Sequence, residues 1–163
     1  MIALVVVILD LLTKYQVAAA LRPGQYIEVI PGFFRISHLL NSGVAFGLFA
    51  DHTSAWKPYI LAAMAVVAVV VIVIYSLRMP PERKFLQAAL AMITGGILGN
   101  FIDRIVQGSV VDFIELHIQN RFYWPTFNLA DSAITVGIVM LLIDTIRHPD
   151  QEMQGVGNSE AGR

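Results

Sequence analysis

The chain of 163 residues contains no cysteine. Disulfide bonds, thiolate catalysis and Cys-ligated metal sites are therefore excluded. Charged residues are also scarce, because they make up 14% of the chain, against about 25% in a typical soluble domain. The formal net charge of −1 does not provide the basic surface that a nucleic acid requires, so we expect no nucleic-acid partner.

The histidines do not form a metal-binding pattern either. They are scattered along the chain, and their spacing matches no zinc site. We therefore expect no metal and no other cofactor. The four positions are His38, His52, His117 and His148.

Apolar residues make up 56% of the chain, and the mean hydropathy is +0.67. Four segments are apolar enough to predict helices, at about 2–21, 58–77, 85–102 and 127–146. A helix of about 20 residues spans a hydrocarbon core of about 30 Å. The sequence therefore predicts a membrane all-α bundle of four transmembrane helices.

The first segment is the weakest of the four because Asp10 and Lys14 interrupt it. A cleaved secretory signal is an alternative, since small residues at 18–20 could form a cleavage site. That alternative leaves the two charges unexplained. An acid four residues before a base lies on the same helix face and can pair with it, so we favour a retained helix.

Two outer segments, 22–57 and 103–126, connect the predicted helices. The first contains β-prone runs at 26–30 and 33–37, and the second alternates between apolar and polar residues over 110–119. An alternation of period two indicates a strand. We therefore expect a small periplasmic β-rich cradle over the outer end of the bundle.

Short-loop charge predicts the orientation. The loop 78–84 holds three basic residues, and Arg147 ends the last predicted helix. The positive-inside rule places both in the cytoplasm, so both termini are expected there. Residues 1–149 are expected to form a single membrane-embedded domain, followed by a disordered cytoplasmic tail at 150–163.

Asp112 and Asp131 are the strongest candidate functional residues, because each lies beside a segment that is apolar enough to span a membrane. An ionisable group at membrane depth costs about 3 kcal/mol and is usually functional. Two carboxyls at the outer face could share one proton, as in an aspartic protease, although the sequence does not assign the proton. The alternative is a small proton-coupled transporter or channel that uses these residues with Asp10 and Lys14 as a relay.

The glycines and charges of the third segment have packing interpretations as well. Gly95, Gly96 and Gly99 favour close approach of helices. Asp103 and Arg104 could form an interfacial ion pair or take part in the site. For Asp112, the alternation predicts an apolar face, where burial raises the pKa of the carboxyl.

Five short motifs in order resemble those of the bacterial lipoprotein signal peptidases (signal peptidase II), which are membrane aspartic proteases. The resemblance covers nearly the whole chain, although the family would have more residues before Asp10. The motifs are Asp10-x-x-Thr13-Lys14, Asn41-x-Gly43-x-Ala45-Phe46, Gly96-x-x-Gly99-Asn100-x-x-Asp103-Arg104, Gly108-x-Val110-x-Asp112-Phe113 and Phe127-Asn128-x-Ala130-Asp131-Ser132.

The resemblance implies that Asp112 and Asp131 form the catalytic dyad. It implies prolipoprotein substrates with a diacylglyceryl cysteine, cleaved before that cysteine, in contact with membrane lipid. It also implies a multi-pass protein of the bacterial cytoplasmic (inner) membrane, with its active site at the outer face. The substrate-binding or supporting residues would be Asn41, Gly43, Asn100, Asp103, Arg104, Asn128, Ala130, Asp10 and Lys14.

Overall fold

The structure is a computed structural model, and it describes residues 1–43, 56–119 and 121–148. Its elements in chain order are α1 (Ile2–Ala20), β1 (Tyr26–Ile30), β2 (Phe34–Asn41), α2 (Lys57–Leu77), α3 (Lys84–Gln107), β3 (Val110–Ile118), β4 (Phe122–Tyr123) and α4 (Leu129–Arg147). Some predictions fall outside the described residues, namely the tail at 150–163, the motif positions Ala45 and Phe46, and His52.

All four helices are long and apolar enough to cross a membrane. Their ends lie within two residues of the predicted bounds except at the end of α3, which continues to Gln107 instead of ending at 102. The prediction was wrong there because it ended the helix at the first charge. Backbone hydrogen bonding does not depend on apolarity, so the helix continues through Asp103 and Arg104 and ends where Gly108 adopts a φ of +77°.

The central helix of the bundle is α3, which packs against α1, α2 and α4. Three glycines on α3 permit this packing. A Cβ atom at Gly95 would lie 2.7 Å from the Ala3 carbonyl oxygen on α1, and one at Gly96 would clash with the backbone of Ala130 on α4. The interpretation of these glycines as close-approach residues is confirmed.

The four strands form one antiparallel sheet in the order β1-β2-β3-β4. The strand predicted from the alternation over 110–119 is confirmed as β3. The sheet packs on the end of α1, where Val17 and Leu21 contact Phe113. These contacts fix the sheet at the end of α1, and α3 leads directly into β3 of the same sheet.

One backbone bridge brings the start of α4 against β3. Ile114 donates its N–H to the Phe127 carbonyl at 2.8 Å, and Phe127 donates back to Ile114 at 3.1 Å. Asn128 follows directly and caps α4. The bridge therefore places the first turn of α4 beside Asp112 on β3.

Candidate active site

Asp112 is the third residue of β3 and is 2% exposed. Its Oδ1 accepts a hydrogen bond from Asn128 Nδ2 at 2.8 Å, and its Oδ2 accepts one from Asn41 Nδ2 at 2.9 Å. Asn41 ends β2, whereas Asn128 precedes α4. The carboxylate is therefore held at the junction of a strand pair and a helix start.

Asp131 lies in the first turn of α4 and is partly exposed. It forms a capping box with Asn128, because each residue accepts a hydrogen bond from the backbone N–H of the other. The second carboxylate oxygen, Oδ1, accepts a hydrogen bond from Asn100 Nδ2 at 2.8 Å. Local helix capping and a contact from α3 together fix the orientation of this side chain.

Two asparagines connect the aspartates. Asn128 is fully buried, and its Nδ2 donates both to Asp112 Oδ1 and, at 3.1 Å, to Asn100 Oδ1. Asn100 in turn donates to Asp131. The two carboxylates thus belong to one continuous hydrogen-bond network that contains donors from α3 and from the start of α4.

The pKa of Asp112 is raised to about 6, mainly because burial disfavours the ionised carboxylate. The nearby negative charge of Asp131 raises the pKa further, whereas the hydrogen bonds from Asn41 and Asn128 and the charge of Lys14 lower it. The prediction that burial raises the pKa of Asp112 is confirmed.

Beneath the aspartates, α1 contributes a buried ion pair. Lys14 Nζ lies 2.7 Å from Asp10 Oδ2, and the two side chains are 3% and 0% exposed. The predicted pairing across one helix turn is confirmed. Asp10 Oδ1 also accepts the backbone N–H of Ala130 at 2.8 Å, so α1 is linked directly to the first turn of α4.

Asp103 on α3 joins the same ion pair. Its Oδ2 lies 3.0 Å from Lys14 Nζ and accepts the backbone N–H of Val111 at 3.2 Å. Within the described residues, the salt bridge of Asp103 is with Lys14 and not with its neighbour Arg104. The interfacial ion pair considered from the sequence is therefore replaced by a buried contact between helices.

Arg104 takes a different position, at the edge of the site. Its Nη1 donates to the Asn100 carbonyl and its Nη2 to the Gly43 carbonyl, both at 3.3 Å. The N–H of Gly43 donates to Asn41 Oδ1 at 2.9 Å. Arg104 Nε is buried and has no hydrogen-bond partner among the described residues, so it is a candidate donor to a further group.

The structure brings every predicted site residue into one region. The predicted set omitted the backbone N–H of Val111, because a sequence pattern does not show which main-chain group is captured by a distant carboxylate. Across the ranges 1–43, 56–119 and 121–148, no group of three or more His, Asp or Glu side chains is arranged to hold a metal ion.

Comparison with known proteins identifies the family. The family model for signal peptidase (SPase) II matches residues 2–147. The chain belongs to the signal peptidase II family. The predicted resemblance is thereby confirmed, and membership of the signal peptidase II family makes the chain a peptidase.

Curated members of the signal peptidase II family are similar over most of the chain. The lipoprotein signal peptidase of Pseudomonas aeruginosa (strain UCBPP-PA14) is 46% identical over 146 residues, which cover 90% of this chain and 86% of that protein. The lipoprotein signal peptidase of Pseudomonas putida KT2440 is 44% identical over 151 residues, which cover 93% of this chain and 88% of that protein.

Two solved structures have the same fold. Both are bacterial membrane enzyme structures obtained by the in meso method, at 2.3 Å and 1.9 Å resolution. The first has a TM-score of 0.80 and 33% identity over 92% of this chain and 88% of that chain. The second has a TM-score of 0.75 and 35% identity over 88% of each chain. With four helices able to span a membrane in the described part of the chain, this member of the signal peptidase II family is a multi-pass inner-membrane protein.

Proposed function

We propose that this chain removes the signal peptide from prolipoproteins that carry a diacylglyceryl cysteine, cutting before the lipidated cysteine, with Asp112 and Asp131 as an aspartic dyad. Family membership and the similarity to lipoprotein signal peptidases support the prolipoprotein substrate. The observation that carries the dyad is the shared network: Asn128 binds the Asp112 carboxylate, caps the same helix turn as Asp131 and contacts Asn100.

The two carboxyls share one proton in the proposed mechanism, because neighbouring carboxylates do not both ionise at low cost. Asp112 is the more buried of the two, and burial raises its pKa, so we assign the proton to it. Asp131 takes a proton from the attacking water as general base. Asp112 polarises the scissile carbonyl and then protonates the leaving amine, and such acid–base assistance typically contributes about 10²–10⁴-fold.

The surrounding polar groups hold this geometry. Asn41 and Asn128 each donate to Asp112, and Asn100 donates to Asp131. The buried Nε of Arg104, which donates to no acceptor in the described part of the chain, supports a role in binding a substrate carbonyl or the developing oxyanion. In this arrangement the neighbours orient the reacting groups, and only the two aspartates exchange protons.

We further infer that the sheet and the dyad face the periplasm and that both termini lie in the cytoplasm. The basic loop 78–84 supports this orientation. Reporters fused after Arg83 and after Gln119 should therefore give opposite signals, cytoplasmic and periplasmic respectively. The same sidedness at both points would contradict the orientation. Residues 1–149 would then form the catalytic domain, followed by a cytoplasmic tail at 150–163.

The lipid on the substrate requires access from the membrane. A diacylglyceryl group remains in the outer leaflet while its cysteine reaches the dyad, so the site must open sideways at headgroup level. The exposed rings of Trp56 and Trp124, each more than half exposed, suit the membrane–water interface that tryptophan prefers. Their positions before α2 and after β4 support a dyad near that depth.

Substitution of the dyad tests the proposal. Asp112→Asn and Asp131→Asn should each abolish cleavage of a purified diacylglyceryl-modified prolipoprotein, measured by gel shift in lipid without added metal. Asparagine has nearly the same shape but cannot exchange the proton. Both variants should still bind the substrate. Glu82→Gln is the matched control, since Glu82 is an exposed carboxylate between α2 and α3, and it should cleave normally.

Either dyad variant that cleaves at a near wild-type rate, or loss of activity on addition of EDTA, would contradict the aspartic mechanism.

The pH profile tests the proton assignment separately. If Asp112 is the general acid, kcat/KM should fall as the pH rises through about 6, because ionisation removes its proton. A rate that stays constant above this pH would contradict the assignment to Asp112.

A further inference from the structure

Lys14 is a buried cation that makes no hydrogen bond to the proposed dyad. It is 3% exposed. Its Nζ lies 2.7 Å from Asp10 Oδ2, 3.0 Å from Asp103 Oδ2 and 2.9 Å from Asn100 Oδ1. Lys14 therefore donates a hydrogen bond to Asn100 and forms ion pairs with Asp10 and Asp103.

Two of the three neighbours hold the main chain directly beside the dyad. Asp10 Oδ1 accepts the N–H of Ala130, the residue immediately before the aspartate on α4. Asp103 Oδ2 accepts a hydrogen bond from the N–H of Val111, the residue immediately before Asp112 on β3. One ammonium is therefore paired with both of the carboxylates that fix the backbone beside the two members of the dyad.

The third neighbour holds a dyad side chain. Asn100 Oδ1 receives hydrogen bonds from Lys14 and Asn128, while its Nδ2 donates to Asp131 Oδ1. Rotation of this amide by half a turn would direct its oxygen at the carboxylate and its NH₂ group at the ammonium. Both contacts would be repulsive, so Lys14 selects the orientation in which Asn100 donates to Asp131.

We propose that Lys14 is the positioning residue of the dyad, acting through Asp10, Asp103 and Asn100 on both aspartates at once. This inference rests on the proposed aspartic mechanism. Lys14 contacts none of the proposed reacting atoms, so it is not a catalytic residue. Its effect is to maintain the relative geometry of two groups that come from different elements, β3 and α4.

Charge is essential to this role. Asp10 and Asp103 bring two negative charges into a buried site, and Lys14 supplies one positive charge. An unpaired buried carboxylate is costly and takes up a proton or turns toward water. Either response would weaken its hold on the Ala130 or Val111 N–H, so loss of the ammonium should displace both catalytic side chains.

The test is Lys14→Met, which keeps an unbranched apolar chain of similar length but removes the ammonium. We expect kcat to fall about 10²-fold, as for a misplacement of about 1 Å, with KM for the diacylglyceryl prolipoprotein little changed. Lys84→Met is the matched control, because Lys84 is exposed at the other end of α3, and it should behave as wild type.

The pH profile distinguishes positioning from a general loss of structure. The positive charge of Lys14 helps to hold down the pKa of Asp112, so in Lys14→Met the alkaline limb of the rate profile should move to higher pH. Three charged groups act on Asp112 from the elements around it, namely Lys14 on α1, Arg104 on α3 and Asp131 on α4. From β2, the neutral Asn41 donates a hydrogen bond to it.

A second variant keeps the test decisive if Lys14→Met folds poorly. Lys14→Met with Asp103→Asn restores the wild-type net charge of the cluster and keeps an oxygen that can accept from Val111. It should fold and bind substrate but remain slow, because Asn100 is no longer oriented. Recovery of the wild-type rate in the double variant would overturn the inference.

Two other outcomes would also overturn it. One is a folded Lys14→Met variant with wild-type kcat and pH profile. The other is an equal loss in kcat and in substrate binding without a shift of the alkaline limb, which would indicate a purely structural role. Asp112→Asn is assayed in parallel, and cleavage by that variant would refute the dyad itself, whatever the result for Lys14.

Discussion

Helices α1 and α2 both have the length and apolarity of a membrane span, yet they differ in what they contribute. The mean hydropathy of the span is 1.9 in α1 and 3.0 in α2. Nevertheless, more of α1 is buried within the protein: 17% of the residues in its span are buried, against 6% in the span of α2. The less apolar helix therefore helps to build the site, and the more apolar one mainly presents its surface to lipid.

The difference follows from where polar groups can be satisfied in a membrane. Asp10 and Lys14 interrupt the hydropathy of α1, and each is buried against α3 or α4. A charge that cannot face lipid must find partners in the protein. In α2, the described side chains between Lys57 and Arg78 carry no charge, so its packing against α3 is apolar and less specific.

Of the substitutions that compare α1 with α2, Gly99→Ala should have the largest effect on stability and cleavage. A Cβ atom there would lie 2.5 Å from Asp10 Oδ2 and 3.4 Å from Ala130 Cβ. The added methyl group would push α1 away from α3 and disturb the hydrogen bond that the Ala130 N–H at the start of α4 donates to Asp10. We expect a stability loss of about 1–3 kcal/mol and about 10²-fold slower cleavage, measured by thermal unfolding and gel shift. Normal stability and activity would show that the close contact is dispensable.

Asp10→Asn should have a smaller effect. The amide keeps an oxygen for the Ala130 N–H, but its NH₂ group then faces Lys14 in place of a carboxylate oxygen. Loss of a contact to a charged group costs about 1.5 kcal/mol, so cleavage should fall by roughly tenfold and remain measurable. Complete inactivation of a folded, substrate-binding Asp10→Asn protein would place Asp10 among the catalytic residues.

Ala65→Val should have the smallest effect, because it adds methyl groups on the opposite side of α3. Ala65 lines a wholly apolar cavity of ≈ 110 Å³ between α2 and α3, together with Leu98 and Phe101. The cavity can receive the added groups, so stability should change by no more than about 0.5 kcal/mol and the cleavage rate should be unchanged. A loss as large as that of Gly99→Ala would show that α2 is as closely coupled to the site as α1.

Local patterns in the sequence predict the spans and β3 because each depends on periodicity within one segment. The contacts between segments are less accessible. The sequence pairs Asp10 with Lys14 across one turn, but only the fold brings Asp103 to the same ammonium. Likewise, no local pattern indicates that Phe127 pairs with Ile114 and thereby sets Asn128 beside β3.

Acidic residues outside the site show the same limit. Nothing local distinguishes Glu115 or Asp144 from a solvated carboxylate, yet both are buried in ion pairs, with Arg35 and Arg83 respectively. Tertiary contacts determine these environments. The exposed Glu82 is therefore a better control for the dyad variants than Glu115 or Asp144, whose substitution would break an ion pair. The alternative of a transporter relay is also disfavoured, because Asp10 and Lys14 are hydrogen-bonded into the network of the dyad.

Whether Asp112 and Asp131 act as one catalytic unit is tested by comparing the cleavage rates of Asp112→Asn, Asp131→Asn and the double variant under identical conditions. Residues that act as one catalytic unit have non-additive effects. We therefore predict that all three variants show the same residual cleavage of a diacylglyceryl-modified prolipoprotein, with substrate binding retained. Partial activity in both single variants, combined with a double-variant loss equal to the product of the single losses, would contradict the account.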